Sequence, residues 1–377
     1  MDTRRVAHLP HFGRLSIKKV GAGWFTSIMG TGILAICVTI SPVPIPMGPA
    51  LGIVLWSVDT VLFAVFAALL IASTIRAPRE LASTFNDPAK AQLWGAPPMA
   101  AFTIAVGFLK IGATFLNPAI CLAAAQMLFV IGVLGSIFSA FAVPYLMFTH
   151  HELSTEKTFG SWLLPVVPPI VASVPAALLA QSWPEAIRGD MLALAYALLG
   201  IGIILAAIII VMFYGRLVYH NVPDAPLVPT MWIVVGPLGQ SVAGMIALGS
   251  ASRAVWPELG HGLQMAGLAY GVLVWGFAVY WITMAIAMTV RAARKHLPFT
   301  LGWWAFTFPV GTLTAGTDAL YGLTHAHIFA IASVAFLGLL ATMWMLVASK
   351  SIGGAILALR VDAQSRFVPL QTAIAKA

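Results

Sequence analysis

Apolar residues in this chain come in unbroken runs of about 20, not in the short alternations of a half-buried strand, and brief segments carrying most of the basic residues separate the runs. The runs are Gly21 to Ile40, Pro49 to Ile75, Pro97 to Leu116, Ala119 to Phe148, Phe159 to Gln181, Met191 to Tyr214, Leu227 to Ser250, Gln264 to Val290, Phe299 to Tyr321 and His327 to Ser349. Runs of this length predict membrane-crossing α-helices, because lipid offers no partner to an open backbone N–H or C=O. The expected fold is therefore an all-α polytopic membrane protein of ten spans.

Odd- and even-numbered runs differ. The even ones are bulky and aliphatic, as in GIGIILAAIIIVMFY of the sixth. The odd ones are rich in glycine, proline and small hydroxyl residues: GWFTSIMGTGILA in the first, SWLLPVVPPIVASVP in the fifth, MWIVVGPLGQS in the seventh and GWWAFTFPVGTLTAGT in the ninth. Small residues let backbones approach, and a proline inside a span frees a carbonyl that needs a new partner, so such helices belong around a cavity or conduit.

A loose repeat runs through the odd runs. Trp24 precedes Gly30, Trp162 precedes Pro168, Trp232 precedes Pro237 and Trp303 precedes Pro309, each by five or six positions, while Trp94 precedes Pro98 by only four. Repeated units are common in transporters and channels, and the unit here is a helical hairpin used five times around a central pore. The alternative for the tryptophans is an aromatic belt at the membrane interface. Superposing the repeats sets Phe308 beside Val167, Gly236 and Met29, so one position of the ring carries a phenyl group at a kink. It could close a narrow conduit by excluding water.

Composition sharpens this picture. Hydrophobic residues make up 60% of the 377 and charged ones 8%, with mean hydropathy +0.95, which excludes an ordinary soluble globule. The net charge of +8 does not point to nucleic acid, since the basic residues are scattered between apolar runs and form no single stripe. They read as topology. With the N-terminus inside, Arg188 and Arg253 are the only basic residues on the outer side and Lys110 the only one within a span, so both termini are expected in the cytoplasm of a cell (inner) membrane protein. Residues 1–20 are then an uncleaved cytoplasmic segment, 21–349 the transport domain and 350–377 a cytoplasmic tail. Cys37 and Cys121 both fall inside apolar runs, which argues against a disulfide framework or a cysteine metal site.

Ionisable groups within spans are few. Asp59 and Lys110 lie at depths compatible with contact, so they form either a structural ion pair or a site where Lys110 attracts an anion at the conduit. Asp318, near the outer end of the ninth run, is expected in a solvated mouth. Gly30, Thr31, Gly32, Pro168, Gly236, Pro237, Gln240, Thr307, Pro309, Thr312 and Thr314 are candidates for lining the conduit, with close helix packing as the alternative. All nine histidines fall at run ends or between runs, and no zinc-protease, P-loop or paired-carboxylate pattern is present, so neither an enzyme nor a cofactor is expected.

WWAFTFPVGTLTAG, with GWFTSIMGTGI and GPLGQS, resembles the tellurite-resistance/dicarboxylate transporter family, which includes malate permeases, sulfite efflux pumps and the slow anion channels of plant guard cells. The resemblance implies a homotrimer in which each protomer has its own pore, five odd helices inside five even ones, with Phe308 occluding it. It implies small anions as substrates, C4-dicarboxylate or sulfite before chloride, nitrate or tellurite-related ions. Asp59 is the only deep acid that proton coupling could use, so passive movement is preferred over a proton-coupled carrier. Gating through long regulatory tails, as in the plant members, is not expected.

Overall fold

The computed structural model describes residues 21–374, with side chains to Leu357; the expected cytoplasmic segment 1–20 lies outside the described residues. Among the described residues there are helices and no strands. In order they are α1 (Phe25–Ile40), α2 (Gly48–Arg76), α3 (Pro78–Asn86), α4 (Pro88–Gln92), α5 (Ala96–Lys110), α6 (Pro118–Thr149), α7 (Pro168–Val171), α8 (Ser173–Leu179), α9 (Glu185–Tyr219), α10 (Val235–Val255), α11 (Pro257–Ala293), α12 (Phe308–Thr324) and α13 (His327–Ile374).

Eight helical segments are long and apolar enough to cross a membrane. The fifth and ninth expected spans are not among those eight, because both are broken. The fifth is divided among a 3-10 turn at Gly160–Leu163, α7 and α8, and in the ninth a 3-10 turn at Leu301–Phe306 precedes the 17-residue α12. Prolines 165, 168, 169 and 175 account for the first break, since each removes a helical N–H donor.

α1, α5, α7 with α8, α10 and α12 touch one another in cyclic order, with α12 returning to α1. The long helices pack outside them: α2 on α1 and α5, α6 on α5 and α7, α9 on α7, α8 and α10, α11 on α10 and α12, and α13 on α12 and α1. Burial follows this division. In the three unbroken odd-numbered spans 61%, 72% and 83% of the most apolar stretch is buried, against 11% to 39% in the long even-numbered helices. The exposed faces of the latter carry Val54, Val58, Val61, Leu134, Phe141, Ile204, Val211 and Leu273, as a lipid-facing surface requires.

The even helices run past the apolar stretches that forecast them. α9 begins at Glu185 instead of Met191 and α11 at Pro257 instead of Gln264, because hydropathy registers the apolar middle of a helix and not its polar, proline-started ends. The helix that carries the tenth run, α13, continues past Ser349 to Ile374. Residues 78–92, which carry Arg79 and Lys90 between two spans, form α3 and α4, the second capped by the Asp87 carboxylate accepting from the backbone of Ala89 and Lys90.

Candidate functional site

Each inner segment starts with a 3-10 turn and then opens into α-helix. The turns are Ala22–Trp24, Leu93–Gly95, Gly160–Leu163, Ala225–Val234 and Leu301–Phe306, and each contains a tryptophan of the repeat: Trp24, Trp94, Trp162, Trp232 and Trp303. The repeat is therefore structural. Its prolines occupy or adjoin the first turn of the following α-helix, where a missing N–H costs nothing: Pro98 in α5, Pro168 in α7, Pro237 in α10 and Pro309 in α12. The tryptophans are largely inside the protein. Trp232 donates to Thr289, Trp303 to the carbonyl of Pro298 and Trp94 to Thr84, which argues against a simple interfacial belt.

The contacts of α12 reveal which of its faces points where. Gly311 abuts Ile33 of α1, Thr312 donates to Gly236 O of α10 at 3.1 Å, Thr317 accepts from Trp275 of α11, and Ser333 of α13 donates to Asp318. At 100° per residue, the sector between α1 and α10, turned away from α11 and α13, holds Phe308, Ala315 and Ala319. Phe308 is 5% exposed and starts the helix. Its neighbour Phe306 is wedged edge-on against Trp232 at 5.0 Å and Trp303 at 5.6 Å, whereas Phe308 has no aromatic partner among the described residues. Of the two phenylalanines that flank Thr307, Phe306 is anchored by the tryptophans and Phe308 lies in the sector of α12 between α1 and α10.

α10 divides in the same way. Gly236 and Gly239 face Pro309 and Leu313 of α12, Gly244 faces Ser173 of α8, and Ser241 accepts from Tyr270 of α11. Gln240 falls between the α12-facing and α8-facing glycines, away from α11.

The other residues expected to line the conduit make the following contacts. Gly30 lies against Thr307 and Trp304, Gly32 against Thr103 of α5 and Asp59 of α2, and Thr31 accepts from Trp344 of α13 at 3.0 Å. Thr307, Thr312 and Thr314 are buried with their hydroxyls donating to the carbonyls of Trp304, Pro309 and Val310. Pro168 and Pro237 are buried where the α-helical parts of their segments begin. Ala315 and Ala319, seven and eleven residues after Phe308, share its sector of α12 and were not among the residues the sequence singled out.

The expected Asp59–Lys110 ion pair does not form. Asp59 is fully buried, and neither carboxyl oxygen has a hydrogen-bond partner, while Lys110 is exposed at the end of α5. The ion pairs among the described residues are Lys90–Asp87 and His220–Glu156. Matching depths from opposite membrane faces did not fix rotation: Asp59 points into the α1–α5 seam and Lys110 points out. Lys110→Gln should accordingly leave the stability of the detergent-purified protein, read from its thermal unfolding, within about 0.5 kcal/mol of wild type, where breaking a buried pair costs about 3–5 kcal/mol. Asp318 is also not a freely solvated mouth group, because Ser333 binds one carboxyl oxygen and the other is buried. An apolar groove of about 640 Å³ beside Pro144 of α6, lined by Phe138, Phe141, Tyr145 and Leu205, opens on the outer surface, away from the inner ring.

A ring of small-residue helices sheathed by long apolar ones defines a multi-span α-helical membrane protein of the transporter and channel class. The chain belongs to the voltage-dependent anion channel family, which it matches over residues 19–352. It is 29% identical to the sulfite efflux pump SSU1 of Arthroderma otae, across 90% of this chain and 91% of that one. It is 27% identical to an uncharacterized transporter of Methanocaldococcus jannaschii over 89% of this chain and 95% of that one. The malic acid transport protein of Schizosaccharomyces pombe is more distant, 21% identical over 81% of this chain and 71% of that one.

Proposed function

We propose that this chain conducts small anions through the middle of its inner ring, with ten spans arranged as five inner–outer hairpins and the phenyl ring of Phe308 as the gate. The observation that carries the reading is the sector of α12 between α1 and α10, which presents one large apolar side chain, Phe308, followed by two alanines. A phenyl group on an otherwise small-residue wall narrows a passage to an apolar constriction that water leaves, and an ion cannot cross such a constriction without shedding its hydration.

The wall suits an anion without strong binding. The acids and bases on the inner helices are Lys110 and Arg253 near helix ends and Asp318, which is turned toward α13. A site that attracts weakly lets the ion leave again.

Sulfite and malate are the substrates favoured by the relatives' names, sulfite first by similarity. The protein sits in the cell membrane with both termini cytoplasmic, and the exposed apolar faces of the outer helices meet lipid and the neighbouring protomers of a homotrimer. Vesicles carrying the purified protein and loaded with sulfite or malate should release it faster than protein-free vesicles with no proton gradient imposed. Release that requires a proton gradient would replace the pore by a proton-coupled carrier, and release of neither anion, nor of chloride or nitrate, would remove the reading.

A further inference from the structure

Most buried polar side chains on the inner segments hydrogen-bond within the protein. The hydroxyls of Thr307, Thr312 and Thr314 donate hydrogen bonds to backbone carbonyls, and that of Thr31 accepts one from the Trp344 indole. Thr103 and Ser173, on neighbouring inner segments, likewise donate to Met99 O and Ile170 O. Gln240 differs. It is 5% exposed, and its amide has no hydrogen bond to the protein among the described residues, yet its amide atoms are not among the sealed, partnerless ones such as those of Asp59 and Trp56. A buried amide that neither bonds to protein nor is sealed in faces open space, and the space on that side of α10 is the interior of the ring.

The register agrees. Gly236 stands against Pro309, the residue after Phe308, and Gln240 lies four residues further along α10, about 6 Å or one turn beyond the ring. An ion that has passed Phe308, or is about to meet it, has lost part of its hydration there. Leaving a primary amide unpaired in such a place is costly unless a ligand or water completes it. An amide supplies two N–H donors and no net charge, so it can replace lost water around an anion without trapping it.

We propose that the side-chain amide of Gln240 is the hydrogen-bond donor that a permeating anion meets inside the conduit, and that it sets selectivity among anions. This deepens the conduit reading and rests on it. Gln240→Leu keeps side-chain bulk and removes the donors, so strongly hydrated anions lose most. Gln240→Glu keeps the shape, replaces the donors with acceptors and adds a negative charge. Gln240→Asn keeps the donors on a shorter stem.

The test uses the full-length Phe308→Ala protein in planar bilayers, with chloride, nitrate and sulfite as the permeant ions. The expected result is that adding Gln240→Leu raises the nitrate-to-chloride and nitrate-to-sulfite permeability ratios by roughly tenfold, the scale of a hydrogen bond to a charged group. Gln240→Glu should cut conductance for all three by a similar factor, and Gln240→Asn should retain the parent's anion order. A residue that merely packed would alter yield or thermal stability and leave the permeability ratios alone. Unchanged ratios and conductance in Gln240→Leu and Gln240→Glu, with the Phe308→Ala parent conducting, would overturn the Gln240 assignment and leave the conduit standing. An absence of current in the parent would overturn the conduit, and the Gln240 site with it.

Discussion

Phe308→Ala should raise anion flux through reconstituted protein by about 100-fold over wild type, while Phe306→Ala, two residues away, should not. The size follows from the barrier: an apolar constriction that costs even ~3 kcal/mol to hydrate slows passage by about two orders of magnitude, and its removal restores them. The contrast follows from packing. Phe306 is gripped by Trp232 and Trp303, so truncating it empties a filled core and costs about 3–5 kcal/mol of stability. Phe308 faces the sector between α1 and α10 with no aromatic partner, so its loss should lower stability less than that of Phe306. Parallel vesicle flux and thermal-midpoint measurements on both variants check the pair. High flux with Phe306→Ala and none with Phe308→Ala would reverse their assignments.

Gly239→Val should strongly destabilise the contact between α10 and α12. A Cβ at Gly239 would stand 2.4 Å from the backbone nitrogen of Leu313 and 2.6 Å from its Cα, and one at Gly316 would be 2.7 Å from Gly239 O. These neighbours are backbone, which cannot swing aside as a side chain does, so α10 and α12 must separate. Those two helices carry Gln240 and Phe308, and overpacking of this kind costs about 1–3 kcal/mol or more. Size-exclusion profiles after heating should show Gly239→Val aggregating well below wild type. Gly200→Ala, on α9 with nothing within 4 Å of its would-be Cβ, should match wild type or exceed it slightly, since alanine favours helix. Equal thermal midpoints for the two variants would mean that the α10–α12 contact is looser than described.

The layering of this molecule was legible because lipid imposes it. Runs such as GIGIILAAIIIVMFY cannot face a packed interior and a polar passage at once, whereas GPLGQS and PVGTLTAGT can be approached closely, and the burial of their helices follows that difference. The tryptophan–proline repeat was legible as a pattern but not as a shape, since nothing in the spacing distinguishes a kink from a 3-10 turn leading into an α-helix. Phe308 stood out because it recurs at no equivalent position. Rotation was what the sequence could not convey. Gly30, Thr31 and Gly32 are consecutive, so they point about 100° apart and meet three different sets of neighbours, and a list of small residues carries no azimuth. Asp59 and Lys110 failed for the same reason: depth was readable and direction was not.

Whether the inner ring passes anions is decided by the reversal potential of the Phe308→Ala protein in a planar bilayer under a potassium chloride gradient. Current should reverse at the chloride equilibrium potential; current that reverses at the potassium potential would rule out an anion conduit.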